Sequence, residues 1–147
     1  MKYSYRVTKY KADDLGGLRS LPDEWTSFYD IGSKITEDGY AKIERQYIEY
    51  VVDACNCLSV KSLGVQGLEV NANEFQYEEG AIINIADLGG IIQSILREEI
   101  WCKLVSRECE FHFGYDFYMY FLCDDCPQIC VEQIKTELTV QKYESPY

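Results

Sequence analysis

Residues 101–123, WCKLVSRECEFHFGYDFYMYFLC, decide the fold, because three strand-like runs follow one another there with only short breaks. The runs are Trp101–Ser106, Cys109–Gly114 and Phe117–Cys123, separated by Arg107-Glu108 and Tyr115-Asp116. Runs of this kind joined by two-residue breaks are typical of consecutive β-hairpins. The last run is apolar on both faces, which predicts a central strand of the sheet.

Periodicity elsewhere in the chain predicts two main helices and four further strands. Apolar residues at three- and four-residue spacing predict helices over residues 37–58 and 87–99, with Thr36 and Asp87 placed to cap them. Pro127 can begin a short helix near residues 127–136, and residues 11–36 are loop-like. The further strands are expected at residues 2–10, 60–70, 81–85 and 138–143.

The resulting order, β-α-β-β-α-β-β-β-α-β, places an antiparallel meander after two helices. This order is typical of the α+β class. The prediction is a single globular domain over residues 1–147, with a mostly antiparallel sheet that ends in a C-terminal meander and packs with two main helices.

The charge of the chain restricts its partners. Its 147 residues include 14 Lys and Arg against 25 Asp and Glu, which gives a formal net charge of −11, while 47% of the residues are hydrophobic. That apolar content is too high for a disordered acidic chain. A strongly negative surface repels nucleic-acid backbones and anionic membranes, so neither is predicted as a partner, and it attracts basic proteins.

The N-terminal residues and the cysteines both predict a cytoplasmic protein. Residues 1–10 contain charge but no apolar core of the kind a signal peptide needs, and the apolar runs are far shorter than the ~20 residues that span a bilayer. Seven Cys cannot all pair within one chain, and most have apolar neighbours in the sequence. The interpretation is that these thiols are reduced and mostly buried.

The sharpest local motif is the segment Cys123–Cys130, CDDCPQIC. Cys123 and Cys126 have the spacing with which two sulfurs converge on a zinc ion, and Cys130 could be a third ligand. A redox dithiol is a second alternative, which the two aspartates oppose because they disfavour a thiolate. The prediction is a turn between strand and helix with incidental thiols, with no metal or other cofactor. A fourth zinc ligand would come from Cys109, His112 or solvent.

Nothing in the sequence marks a catalytic site. His112 is the single histidine, and on a strand it points away from the face of Phe111 and Phe113, which is typical of a solvent-side or partly buried structural histidine. Nucleophilic catalysis requires a Ser or Cys with a base and an orienting acid, and no nucleophile-elbow, phosphate-loop, dinucleotide or deaminase motif occurs. Acid pairs such as Glu98-Glu99 could serve a glycoside hydrolase, but solvated surface is their usual role. The chain is predicted not to be an enzyme.

Acidic doublets and aromatic residues are interleaved in the predicted loops. Acids that steer a basic partner, combined with rigid aromatic anchors such as Trp25 and Phe75, favour a protein-binding surface. The alternative for any single aromatic residue is the edge of the hydrophobic core. The residues predicted to bind the partner are Asp23, Glu24, Asp30, Glu78, Glu79, Asp124 and Asp125.

Three segments resemble small bacterial immunity proteins of contact-dependent inhibition and related polymorphic toxin systems. They are Asp23–Gly32 (DEWTSFYDIG), Leu96–Leu104 (LREEIWCKL) and Phe113–Tyr120 (FGYDFYMY). The resemblance is one of size, acidity and segment style over much of the chain. It implies a cytoplasmic inhibitor that binds one cognate toxin domain, commonly a nuclease, and blocks its active site. It implies no catalytic residues.

The sequence therefore predicts a cytoplasmic immunity protein that binds and neutralises a cognate toxin domain by occluding its basic active-site surface. Nuclease toxins need such a surface to hold phosphates, so an acidic inhibitor can occupy it. Two alternatives stay open. One is a small cysteine-cluster metal-binding protein or enzyme that uses His112, and the other is a generic interaction or structural domain.

Overall fold

Seven strands and three α-helices lie in the part of the chain that the computed structural model describes, which is residues 1–13, 17–18, 24–72, 74–124 and 127–147. Their order is the predicted one, and the α+β class is confirmed. The strands are β1 (Tyr3–Thr8), β2 (Ser62–Val70), β3 (Ile82–Asn84), β4 (Ile100–Val105), β5 (Cys109–Phe113), β6 (Tyr118–Cys123) and β7 (Thr139–Lys142). The helices are α1 (Glu37–Cys57), α2 (Leu88–Leu96) and α3 (Pro127–Gln133), with 3-10 turns at Phe28–Asp30 and Ile85–Asp87.

The seven described strands form one antiparallel sheet in the order β3-β2-β4-β5-β6-β1-β7. The predicted meander is present as β4, β5 and β6, and β6 is an interior strand, as its two apolar faces predicted. β1 lies between β6 and β7, so that Arg6 pairs with Tyr120 on one side and with Gln141 on the other. The N-terminal strand thus joins the meander to β7.

One face of the sheet forms the core with α1 and α2. Alternate strand residues point to this face, among them the fully buried Val7 and Phe111. Tyr50 of α1 packs on Phe121 of β6 with 6.1 Å between ring centroids, and Ile92 of α2 is fully buried in the same cluster. Burying an apolar side chain of this size stabilises a fold by ~1.5–3 kcal/mol, so this face holds the sheet and the helices together.

The opposite face of the sheet is crossed by residues 143–147. The ring of Tyr143 lies 6.0 Å from that of Tyr120, and the ring of Tyr147 lies 5.8 Å from that of Trp101. His112 points to this face, as predicted, and is only 2% exposed. The sequence had indicated a solvent-side or partly buried histidine, and the difference arises because a segment distant in sequence covers it.

Of the two predicted helix caps, the one at α1 is confirmed and the one at α2 is not. Thr36 caps α1, since its hydroxyl accepts a hydrogen bond from the Gly39 amide at 3.1 Å. The prediction that Asp87 caps α2 is wrong, because its side chain makes no capping hydrogen bond. The chain enters α2 from the 3-10 turn at Ile85–Asp87, which places Asp87 at φ −105°, ψ 1°. A residue whose side chain caps a helix normally has an extended backbone, and the 3-10 turn does not allow that conformation at Asp87.

A disulfide corrects the prediction that the thiols are all reduced. Cys57, the last residue of α1, is bonded to Cys130 of α3, and their Cα atoms lie 5.7 Å apart, within the usual range for such bonds. The other four cysteines that the structure describes lie outside this bond and are buried, as predicted: Cys55, Cys102, Cys109 and Cys123. The cytoplasmic prediction had used reduced thiols, and the Cys57–Cys130 pair does not support it.

None of the helices in the described ranges has the length and apolarity needed to cross a bilayer.

Candidate functional site

The turn between β5 and β6 projects from one end of the sheet with an unusual backbone. Asp116 and Phe117 have φ of +61° and +67°, the left-handed region that a hairpin turn requires and that non-glycine residues seldom occupy. Phe117 is nevertheless buried, and its ring lies 4.8 Å from that of Trp25 and 5.7 Å from that of Tyr47. The turn is therefore fixed to the core by one aromatic side chain, while Tyr115 beside it is 71% exposed.

The segment that begins at Glu24 packs against this turn through the Trp25 ring and is held by its own polar contacts. The Glu24 carboxylate forms a 2.7 Å ion pair with the Lys9 ammonium, whose side chain is 3% exposed. Burial lowers the pKa of Lys9 below its usual value, although the hydrogen bond and charge of Glu24 act in the opposite direction. The Asp30 carboxylate accepts hydrogen bonds from the amides of Thr26 and Ser27, which lower the pKa of Asp30. Both acids thus hold the segment in place.

A cavity of about 150 Å³ opens between this segment, the turn and the C-terminal end of α2. Its apolar wall includes Ile95, Trp101 and Phe113. The Trp101 indole N–H donates to the Phe113 carbonyl at 2.7 Å, so this wall is held in position by a hydrogen bond between strands. The polar lining is Thr26, Ser27, Glu69, Asn71, Glu98 and Asp116.

One exposed aromatic ring and three carboxylates lie at this cavity. We call the surface formed by Tyr115, Glu69, Glu98 and Asp116 the acidic rim. Tyr115 lines this cavity and is 71% exposed. Tyr29 is 72% exposed and belongs to a second depression, which Phe28 and Arg97 also line. The carboxylates of Glu69 and Asp116 make no hydrogen bond or ion pair with any residue that the structure describes. The rim therefore combines one exposed aromatic ring with carboxylates, two of which are available to a partner.

The structure separates the residues that were predicted to bind a partner. Glu24 and Asp30 lie beside the acidic rim, where together with Asp116 they raise the pKa of Tyr10 further after burial has raised it. Glu79 accepts hydrogen bonds from the backbone of β2 in the β2–β3 loop, and Glu78 next to it is exposed. Asp124 follows β6 at the opposite end of the sheet and accepts from the Lys2 amide at 2.7 Å. Asp23 and Asp125 lie outside the described residues.

Most of these predicted acids already have a partner within the chain. The carboxylate of Glu79 binds the amides of Gly67 and Leu68 at 2.9 and 2.7 Å, where β2 has a register shift and Gly67 adopts φ +70°. This contact satisfies two N–H groups that the irregular strand leaves without a strand partner. Of the five predicted acids that the structure describes, only Glu78 has a carboxylate without a contact to a described residue.

The sequence analysis did not predict Tyr115 and Asp116 as partner-binding residues, although both lie in a break between strands and in the segment Phe113–Tyr120. Their signal was the segment Gly114-Tyr115-Asp116-Phe117, in which an acid and two aromatics occupy a turn that must be exposed. Glu98 belonged to a recognised acid pair, but its position beside the turn depends on contacts distant in sequence. The same is true of Glu69, which ends up opposite Trp101 through the pairing of β2 with β4.

The cysteine-cluster alternative receives no support from the described residues. Among them no group of three or more His, Cys, Asp or Glu side chains is placed to hold a metal ion. Cys130 is in the disulfide, and Cys126 lies outside the described residues. Cys109 and Cys55 share a hydrogen bond in the core, on the opposite face of the sheet from His112. The proposed use of His112 with these thiols therefore lacks a common site.

Comparison of the chain with protein-family models, with curated proteins and with solved structures gave no match. The function is therefore inferred from the chain's own geometry and charge.

Proposed function

We propose that this chain is an immunity protein that binds a cognate toxin domain, commonly a nuclease, in the cytoplasm and occludes its basic active-site surface. The observation that carries the proposal is the acidic rim. It places one exposed tyrosine and three carboxylates around one cavity, on a chain whose net charge is −11. The proposed contact surface is the rim, with Glu24 and Asp30 supporting the segment beside it.

Charge complementarity supports a basic partner. A nuclease must hold phosphates on positively charged surface, and a negatively charged inhibitor is attracted to that same surface. Such attraction speeds encounter and falls as salt screens it. Glu69 and Asp116 are suited to this role because neither is already paired with a residue that the structure describes.

The exposed tyrosine rings offer apolar contact area, which contributes binding free energy that charge alone does not. Tyrosines that lose water at the centre of an interface commonly contribute 2 kcal/mol or more to binding, by the general behaviour of interface hot spots. Tyr29 and Tyr115 are available because each is more than 70% exposed. They also need little reorganisation, since Phe117 fixes the turn that carries Tyr115 and the Asp30 carboxylate fixes the turn that carries Tyr29.

Binding and protection together test the proposal. The purified chain is titrated with an inactivated form of the toxin domain encoded in the neighbouring reading frame, and the chain is also produced in cells that express the active toxin. We expect a stable complex and survival of the cells. Failure to bind, or binding without protection, would reject the immunity function, and binding without protection is the result that a generic interaction domain gives.

Charge reversal at matched positions locates the interface. The variant Glu98→Lys with Asp116→Lys changes the rim, and Glu49→Lys with Asp53→Lys makes the same change of charge on exposed positions of α1. We expect the rim variant to lose at least tenfold in affinity and the α1 variant less than threefold. If Glu78→Lys abolishes binding while the rim variant does not, the partner docks at the β2–β3 loop and the rim assignment is wrong.

A further inference from the structure

Three side chains on the face of the sheet opposite the helices form a continuous hydrogen-bonded chain. The Oε2 atom of Glu110 lies 2.9 Å from Nε2 of His112, and Nδ1 of His112 lies 2.8 Å from the hydroxyl of Ser145. Glu110 and His112 are on β5, and Ser145 belongs to the segment 143–147 that crosses this face. A serine, a histidine and a carboxylate in this order are the components of an activated nucleophile.

The chemistry of the three groups determines where the protons lie. An ionised carboxylate can only accept, so Nε2 of a neutral His112 carries the hydrogen that Glu110 binds. Nδ1 is then an acceptor, and the group that donates to it is the Ser145 hydroxyl. Burial lowers the pKa of His112, with the charge of Lys103 acting in the same direction, while the hydrogen bond to Glu110 raises it. The imidazole is thus neutral near pH 7, as a general base must be.

The position of Ser145 is fixed by its neighbours without being sealed from solvent. Its amide donates to the Ser4 hydroxyl at 3.1 Å, and its own hydroxyl accepts from the Tyr147 amide at 3.3 Å. Ser145 is half-buried, whereas His112 beneath it is fully buried. Tyr143 and Tyr147, two residues to either side of Ser145, both pack on Tyr120 and provide an aromatic surface beside the hydroxyl.

We propose that Ser145 is a nucleophile that takes an acyl group from small esters with an aromatic leaving group, with His112 as its general base and Glu110 as the residue that positions the imidazole. The Ser145 oxygen forms a bond to the carbonyl carbon as its proton passes to Nδ1 of His112. The bond from that carbon to the leaving oxygen then breaks. The leaving phenol departs with the electron pair and a proton, and water removes the acyl group from Ser145 by the same route. The three residues of this site are not part of the acidic rim, so either assignment can fail alone.

Two reagents test the proposal on the intact protein. A fluorophosphonate probe forms a phosphorus–oxygen bond to Ser145 as fluoride leaves, and p-nitrophenyl acetate acetylates the same atom as p-nitrophenolate leaves. We expect one equivalent of probe per chain, located at Ser145 by peptide mapping, with Ser33 as an exposed control serine that stays unlabelled. Equal labelling of Ser33 and Ser145 would overturn the proposal. This comparison uses the unmodified protein, so no variant that could misfold is needed.

Variants separate a catalytic role from a structural one. We expect Ser145→Ala to abolish labelling at this position and His112→Gln to slow it by about 100-fold, the lower range for loss of a general base. An unchanged rate in a folded His112→Gln variant, with folding checked by circular dichroism, would show that the histidine does not activate the serine.

The dependence of the labelling rate on pH tests the base and the positioning residue. The groups around His112 are Glu110 on its own strand, Lys103 on β4, Tyr120 on β6 and Tyr147 of the crossing segment. Burial raises the pKa of Tyr120 and of Tyr147 above the ordinary tyrosine value, so neither ring ionises between pH 5 and 7, and an inflection in that range is assigned to His112. We expect the rate to rise through an inflection below pH 6.5, and Glu110→Gln to slow labelling and move the inflection lower. An inflection that Glu110→Gln leaves in place would overturn the role of Glu110.

Discussion

Phe117 packs edge-on against Trp25, with 4.8 Å between the ring centroids and 73° between the ring planes. This contact joins the β5–β6 turn to the segment that begins at Glu24, and both line the cavity at the acidic rim. The left-handed backbone of Phe117 costs of order 1–3 kcal/mol, so the buried ring must offset that strain. The rim therefore depends on an aromatic contact that lies beneath it.

Truncation of Phe117 is expected to destabilise the whole fold. Phe117→Ala removes the ring from its contacts with Trp25, Tyr40 and Tyr47, and such a change in a core costs about 3–5 kcal/mol. Urea denaturation measures the loss. Tyr115→Ala in the same turn is the control, and we expect it to change the free energy of unfolding by less than about 0.5 kcal/mol because its ring is exposed. A loss below 1 kcal/mol for Phe117→Ala would contradict the anchoring role.

We expect the loss of the Glu24 charge alone to lower the free energy of unfolding more than the loss of both charges of the ion pair. Glu24→Gln leaves the buried Lys9 ammonium without its counter-ion, which we expect to lower the free energy of unfolding by about 2–4 kcal/mol. The double variant Lys9→Met with Glu24→Gln removes the buried charge as well, and we expect it to recover at least half of that loss. Denaturation of the single and double variants provides the comparison. A double variant less stable than Glu24→Gln would show that the pair is strongly favourable.

The contribution of the Asp30 carboxylate to the stability of the fold is expected to be lost at low pH. Hydrogen bonds from the Thr26 and Ser27 amides lower the pKa of Asp30 in the folded chain, so the unfolded chain binds its proton more readily. The stabilisation is present above the ordinary aspartate pKa of about 3.9 and is lost as the pH falls through the lower folded value. We expect Asp30→Asn to melt at a lower temperature than the wild type at pH 7, and the difference to shrink below pH 4. Glu78→Gln, with no contact to lose, should show no difference at either pH.

Reduction of the Cys57–Cys130 disulfide is expected to destabilise the chain by about 2–4 kcal/mol, the usual contribution of such a bond. For a chain of this length, that corresponds to roughly 4–16 °C in melting temperature. Differential scanning calorimetry with and without dithiothreitol measures this change. We expect the Cys57→Ser variant to melt, under both conditions, at the temperature of the reduced wild type. If dithiothreitol leaves the wild type unchanged and mapping finds no linked peptide, the bond does not form in solution.

The strands of the meander could be predicted because their signals are local. Trp101–Ser106, Cys109–Gly114 and Phe117–Cys123 each alternate or remain apolar along their own length, and the breaks between them fix which strands are neighbours. The start of α1 was predictable for the same reason, since Thr36 caps a helix that begins at the next residue. The Asp87 cap failed because a 3-10 turn has no distinct pattern in three residues.

The candidate sites depend on contacts that no local pattern reveals. Ser145 and His112 are far apart in sequence and meet only because the chain crosses a sheet face after β7. Glu24 and Glu79 were predicted to bind a partner, and in the structure their carboxylates bind a buried ammonium and two backbone amides. A charged residue in a loop has the same sequence signature whether it faces solvent or holds the loop together.

The place of β1 in the sheet also determines when the fold can form. Its Arg6 pairs with Tyr120 and Gln141, so β1 leaves the ribosome more than a hundred residues ahead of both of its partner strands. At synthesis rates of about 5–20 residues per second, the partner strands of β1 are synthesised on the order of ten seconds after it, and until then its backbone is unpaired. Contacts so distant in sequence also slow folding once the chain is complete. During that interval its apolar side chains, Tyr5 and Val7 among them, are available to the wrong partners.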